Sequence, residues 1–71
     1  MKAKFKKLSD VSITQHEFLR VLRKNLTEKH VGYRVHWHGF PLGFKRFYVR
    51  VEHLCIAQTI LEATRGEVYH L

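Results

Sequence analysis

Cysteine occurs once in the 71 residues, at Cys55, and proline once, at Pro41. A single thiol excludes an intrachain disulfide and fits a reducing, cytoplasmic setting. Acidic residues are also scarce: Asp10, Glu17, Glu28, Glu52, Glu62 and Glu67 stand against thirteen Lys and Arg. Scattered in this way they offer no paired carboxylates, and neither a phosphate-cradling glycine loop nor a nucleophile motif occurs. The chain is therefore not expected to be an enzyme or to carry a cofactor. No apolar run approaches the roughly 20 residues of a membrane helix, and none follows the basic start MKAKFKK. Neither a membrane span nor a signal peptide is expected.

What is plentiful is positive charge. The formal net charge is +7, and six histidines add more below neutral pH. Hydrophobic content of 45% suffices for a folded globule, and 71 residues suggest one small domain with a modest core. The charge points to an anionic partner: a nucleic acid or an acidic protein surface. An anionic membrane fits less well, because no helical pattern pairs a strong apolar face with a uniformly basic one.

The most informative stretch runs from Val31 to Val51 and reads as a β-hairpin. Tyr33, Val35 and Trp37 alternate with Arg34, His36 and His38, and Phe47, Val49 and Val51 alternate with Arg46, Tyr48 and Arg50. Period-two alternation assigns the first kind to a core face and the second to an outer face. Trp37 is thus expected inside, where truncation to Ala would cost about 3–5 kcal/mol. Parity requires an odd loop of three residues, Phe40 to Leu42, or five, Phe40 to Phe44. Gly39, Pro41 and Gly43 suit either. The longer loop would set Tyr33 opposite Val51, Trp37 opposite Phe47 and Arg34 opposite Arg50.

The remaining elements follow from spacing. Residues 1–8 are a strand or a flexible arm, with Lys2, Lys4 and Lys6 set against Ala3, Phe5 and, after a one-residue slip, Leu8. Ser9 to Ser12 is turn-like. Residues 13–30 read as a helix, with Thr14 and Glu17 spaced for a capping box and Phe18, Leu19, Leu22 and Leu26 as its buried stripe. Its Arg20, Arg23 and Lys24 are read as a solvated face. Residues 52–65 read as a second helix with Leu54, Ala57, Ile60, Leu61 and Thr64 inside, Cys55 as a core thiol and Gly66 as the C-terminal cap. Residues 67–71 have strand-like composition.

These elements give an α+β chain: a small antiparallel sheet with two helices on one face, in the β-α-β-β-α-β order of the ferredoxin-like plan. Without the first strand the unit would be α-β-β-α, completed by homodimerisation. In the full plan the uncovered face gathers Lys4, Lys6, Arg34, His36, Arg46, Tyr48 and Arg50. The RNA-recognition motif shares this topology and stacks bases on aromatics of its central strands. GFKRFYVRV, residues 43–51, is the nearest counterpart of its third strand. There, however, Arg46 replaces an exposed aromatic and Phe47 faces the core, so the comparison reaches architecture only.

Cations for a backbone and flat rings for bases are the ingredients of a single-strand groove, and a two-stranded ribbon also fits a duplex major groove. The expected function is accordingly a non-enzymatic nucleic-acid-binding accessory or regulatory protein, with single strands favoured. The alternative is a small inhibitor or modulator, of the kind phages and other mobile elements encode, that docks its hairpin on an acidic protein through Phe40, Leu42 and Phe44. His36 and His38 share a face at chelating distance, but no motif of known metal spacing supplies further ligands, so no metal is expected.

Overall fold

The computed structural model describes residues 3–39 and 42–70. Its elements are β1 (Phe5–Ser12), α1 (His16–Glu28), β2 (Tyr33–His38), β3 (Phe44–Arg50), a 3-10 turn (Val51–His53) and α2 (Leu54–Tyr69). The three strands form one antiparallel sheet in the order β1-β3-β2. β3 is inserted between β1 and β2, which is the split βαβ arrangement. The α+β class and the helices on one sheet face are as the sequence suggests, but the sheet has three strands.

Among the described residues no fourth strand forms, and the cause is local. Glu67 to Tyr69, read as strand-forming, continue α2, and Gly66 lies inside the helix rather than capping it. Glycine costs about 1 kcal/mol in a helix interior. Tertiary contacts beyond it offset that cost: Val68 packs on the core, and Tyr69 stacks on Phe18 with ring centroids 5.6 Å apart. The Tyr69 hydroxyl also accepts a 2.7 Å hydrogen bond from Gln15 Nε2. His70, in the left-handed conformation, is the actual cap.

β1 is a formed strand, shifted along the chain from residues 1–8, and Ser9 to Ser12 belong to it rather than to a turn. Its register against β3 slips between Lys7 and Ser9, so the irregularity falls at Leu8. Leu8 and Val11 both pack toward the core. Three residues apart, they cannot share a face of a regular strand, and a bulge absorbs the extra residue.

α1 buries Phe18, Leu19, Leu22 and Leu26 as its spacing implies, and Val21 with them. The capping box is not made: Gln15 is the N-cap, and no side chain caps the helix. Instead Ser12 Oγ accepts from the Thr14 amide and bonds the Thr14 hydroxyl. At the other end His30 takes a left-handed conformation, its amide donates to Thr27 O and the Val31 amide donates to Leu26 O. That is a Schellman ending, with Val31 buried against the same core as Leu26.

One buried cluster joins α1, α2, Val11, Val31, Phe47 and Val49. Thr64 is fully buried within it; its hydroxyl donates to Ile60 O at 2.7 Å and accepts from Asn25 Nδ2 at 2.9 Å, tying α2 to α1. Cys55 is exposed, not a core thiol, because it lies off the α2 stripe of Ala57, Ile60, Leu61 and Thr64. Among the described residues, no helix is long and apolar enough to cross a membrane.

Candidate nucleic-acid interface

The hairpin adopts the shorter-loop register. Tyr33 faces Val49, Arg34 faces Tyr48, Val35 faces Phe47, His36 faces Arg46, Trp37 faces Lys45 and His38 faces Phe44. The longer-loop register, with Trp37 opposite Phe47 and Arg34 opposite Arg50, is therefore not used. The glycines show why the turn closes as it does. Gly43 has φ +144°, and a Cβ there would fall 2.0 Å from the His38 carbonyl oxygen. At Gly39, φ +92°, a Cβ would lie a tight 3.1 Å from the Gly43 Cα in a conformation that side chains rarely adopt. Only residues without a side chain let the two chains approach so closely.

Register and the β1 bulge together decide what reaches the uncovered face. Core residues Val11, Phe47 and Val49 mark the helix side. Opposite them lie Phe5, Lys7, Asp10 and Ser12 from β1, Phe44, Arg46, Tyr48 and Arg50 from β3, and Arg34, His36 and His38 from β2. None of these is buried. Of the residues expected here, Arg34, His36, Arg46, Tyr48 and Arg50 are brought together. Lys4 and Lys6 are not: Lys4 precedes β1, and Lys6 lies opposite Val49 on the helix side, exposed at the sheet margin. Parity counted back from inward Leu8 puts Phe5 and Lys7 outward in their place.

The face is a mosaic of rings and cations. The Arg34 guanidinium lies over the Phe5 ring, 4.4 Å from its centroid, and that of Arg46 sits 5.4 Å from the Phe44 centroid. His36 leans on Tyr48 at 5.1 Å, and His38 stacks on Phe44 at 5.4 Å with 13° between planes. Cation–π contact of this kind orients guanidinium groups without removing their charge.

The cations are not equally available. Arg46 Nε donates to Asp10 Oδ1 at 2.8 Å and Nη2 to Oδ2 at 3.3 Å, while Lys7 Nζ reaches Asp10 Oδ2 at 3.0 Å. The Arg46 hydrogen bond holds the Asp10 carboxyl at about 2, with Lys7 adding to the effect against a smaller opposing desolvation. The same bond raises the Arg46 guanidinium further. Arg50 pairs with Glu52 at 3.7 Å. Arg34 makes no ion pair among the described residues.

The hairpin-tip alternative is divided. Leu42 is 66% exposed. Phe44 belongs to the sheet face rather than the tip, and Phe40 lies outside the described residues. Trp37 departs most from expectation: it is on the helix side by register, yet 56% exposed. It borders a hollow of about 300 Å³ with Ile13, His16, Leu19 and Lys45. A larger cleft of about 350 Å³ between the helices mixes Glu17 and Glu67 with Arg20 and Lys24, and so has no preference for an anion. Among the described residues, no three His, Cys, Asp or Glu side chains converge as metal ligands.

His38 reaches the outer face as its alternation implies, whereas Phe5, Lys7 and Phe44 are members of this face that sequence reasoning did not place on it. The inward pair Leu8 and Val11 was the available signal for Phe5 and Lys7. Comparison with known proteins returns no matching family model, no similar curated protein and no similar solved structure.

Proposed function

We propose that this chain is a small accessory protein that binds single-stranded nucleic acid on its uncovered sheet face. The observation that carries the reading is the pairing of Phe5, Tyr48 and Phe44, with His36 and His38, against Lys7, Arg34, Arg46 and Arg50 on a single unburied surface. Rings supply stacking that any base satisfies, and the cations track a phosphate backbone. Four cationic strand residues against two carboxylates, Asp10 and Glu52, keep the face attractive to anions. Flat rings presented side by side on a sheet suit splayed bases better than a stacked duplex, whose bases are accessible only through its grooves.

The test is an anisotropy titration against labelled single-stranded DNA, single-stranded RNA and duplex DNA at about 50 and 200 mM salt. Single strands should bind more tightly than duplex, with affinity falling steeply between the two salt concentrations. Substituting Arg34, Arg46 and Arg50 together by Ala should abolish binding. A folded protein that binds none of the three at low salt refutes the reading and turns attention to exposed Leu42 and an acidic protein target.

A further inference from the structure

We infer that the hollow beside Trp37, on the reverse side of the hairpin, is a second base position for the same single strand, taking one nucleobase against the indole and its phosphate at Lys45. This rests on the nucleic-acid reading of the uncovered face and extends it round the edge of the sheet.

Trp37 lies at the end of β2 opposite Lys45, on the side that elsewhere covers the core, yet it stays 56% exposed. An indole is a costly group to leave in water, and its broad face is a strong stacking platform. The hollow of about 300 Å³ that it borders is walled by Ile13 and Leu19, with His16 and Lys45 as its polar members. That volume is at the lower end of small-molecule sites. No carboxylate lines it. Lys45 makes no ion pair among the described residues, whereas Lys7, Arg46 and Arg50 on the other face each hold a carboxylate. Apolar walls, a ring and an unneutralised ammonium fit a base with an attached phosphate.

Continuity with the proposed interface comes from the topology. β2 is an edge strand, and among the described residues no strand pairs with its outer side. His36 and His38 present their rings to the uncovered face, and Trp37 between them points to the reverse. Successive residues alternate sides about 3.3 Å apart along a strand. A polynucleotide leaving the uncovered face past His36 and His38 therefore turns the β2 edge directly onto the indole. An apolar side chain of a partner protein would fill the walls but leave Lys45 without a counter-charge.

Trp37 is the sole tryptophan, so its fluorescence reports on this position alone. The full chain is titrated with thymidine oligonucleotides of about 4 to 16 nucleotides, a span that brackets common single-strand site sizes. Tryptophan emission and the anisotropy of a labelled oligonucleotide are followed together. The expected result is emission quenching that saturates with binding, and roughly tenfold weaker affinity in Trp37→Ala. Trp37→Phe should retain much of the affinity, and Lys45→Ala should flatten the salt dependence. Binding that is lost on Arg34→Ala yet leaves emission unchanged overturns the second position while sparing the uncovered face. Quenching in the wild type combined with unchanged affinity in Trp37→Ala overturns it equally. No binding of any oligonucleotide removes both.

Discussion

Asp10 and Arg46 face each other across the β1–β3 ladder: Nε donates to Oδ1 and Nη2 to Oδ2, and Lys7 Nζ also reaches Oδ2. The one acid of the uncovered strand face thus engages two of its four cations. Bidentate geometry makes this pair more specific than an ordinary surface contact. On the proposed reading, an anion approaching the centre of the sheet would compete with Asp10 for Arg46.

Asp10→Asn should accordingly tighten binding of single-stranded oligonucleotides, by about 3- to 10-fold near 50 mM salt, and steepen the salt slope as Lys7 and Arg46 become available. Anisotropy titrations at several salt concentrations measure both quantities. Unchanged affinity and slope would mean that Arg46 and Lys7 do not contact the ligand.

The same carboxylate makes stability depend on pH in a defined window. Its pKa is lowered from 3.8 to about 2 in the folded chain, so the unfolded state binds the proton more readily. Its contribution is fully present above the unfolded value and is lost as pH falls from near 3.8 through about 2. Melting temperature followed from pH 5 to 2 should fall more steeply in wild type than in Asp10→Asn. Parallel acid limbs would place the pH dependence elsewhere.

Arg34→Ala should weaken oligonucleotide binding more than Arg46→Ala or Arg50→Ala. Arg34 has no carboxylate partner among the described residues and is held over the Phe5 ring, so its charge is free and its position fixed. Direct comparison of the three single variants checks the order. Phe5→Leu should reproduce part of the Arg34→Ala loss by removing the ring beneath the guanidinium.

Phe47→Ala should destabilise by about 3–5 kcal/mol, since Phe47 is fully buried at the centre of the core. Trp37→Ala should cost about 1 kcal/mol, well short of a buried aromatic, because much of the indole is already in water. Urea melts of the two variants read the difference. Equal losses would put Trp37 in the core.

Thr64→Val keeps the shape of the side chain and removes the hydroxyl that joins α2 to Asn25. Leaving Asn25 Nδ2 without its part-buried partner should cost about 1–2 kcal/mol, whereas Asn25→Ala in the Thr64→Val background should recover part of the loss. A double-mutant cycle by chemical denaturation tests this coupling.

The face that a strand residue occupies was legible wherever alternation was unbroken. Arg34, His36, Arg46, Tyr48 and Arg50 all reach one surface, and Phe47 and Val49 reach the core, because period-two geometry is a property of the backbone itself. It failed at β1, where the bulge at Leu8 inverts the parity of everything before it and exchanges Lys4 and Lys6 for Phe5 and Lys7. The hairpin register was open between two loops of equal parity. The close approach of Gly39 and Gly43 selects the shorter, and no pattern of polar and apolar residues encodes that distance.

By itself the sequence determined the α+β class, the two helices with their apolar stripes, the hairpin and the excess of positive charge. These follow from local spacing and composition, which no distant contact alters. Tertiary structure decided the rest. Phe18 and Gln15 hold Tyr69 in a helix that glycine and a strand-like composition would have ended, and so remove the fourth strand. Trp37 lies on the side that alternation assigns, yet it stays in solvent. Asp10, unremarkable in the sequence, becomes the acid that restrains the central arginine, because pairing of β1 with β3 brings together residues 36 positions apart. Parity assigns a side to each residue, but burial and charge pairing depend on what another part of the chain sets against it.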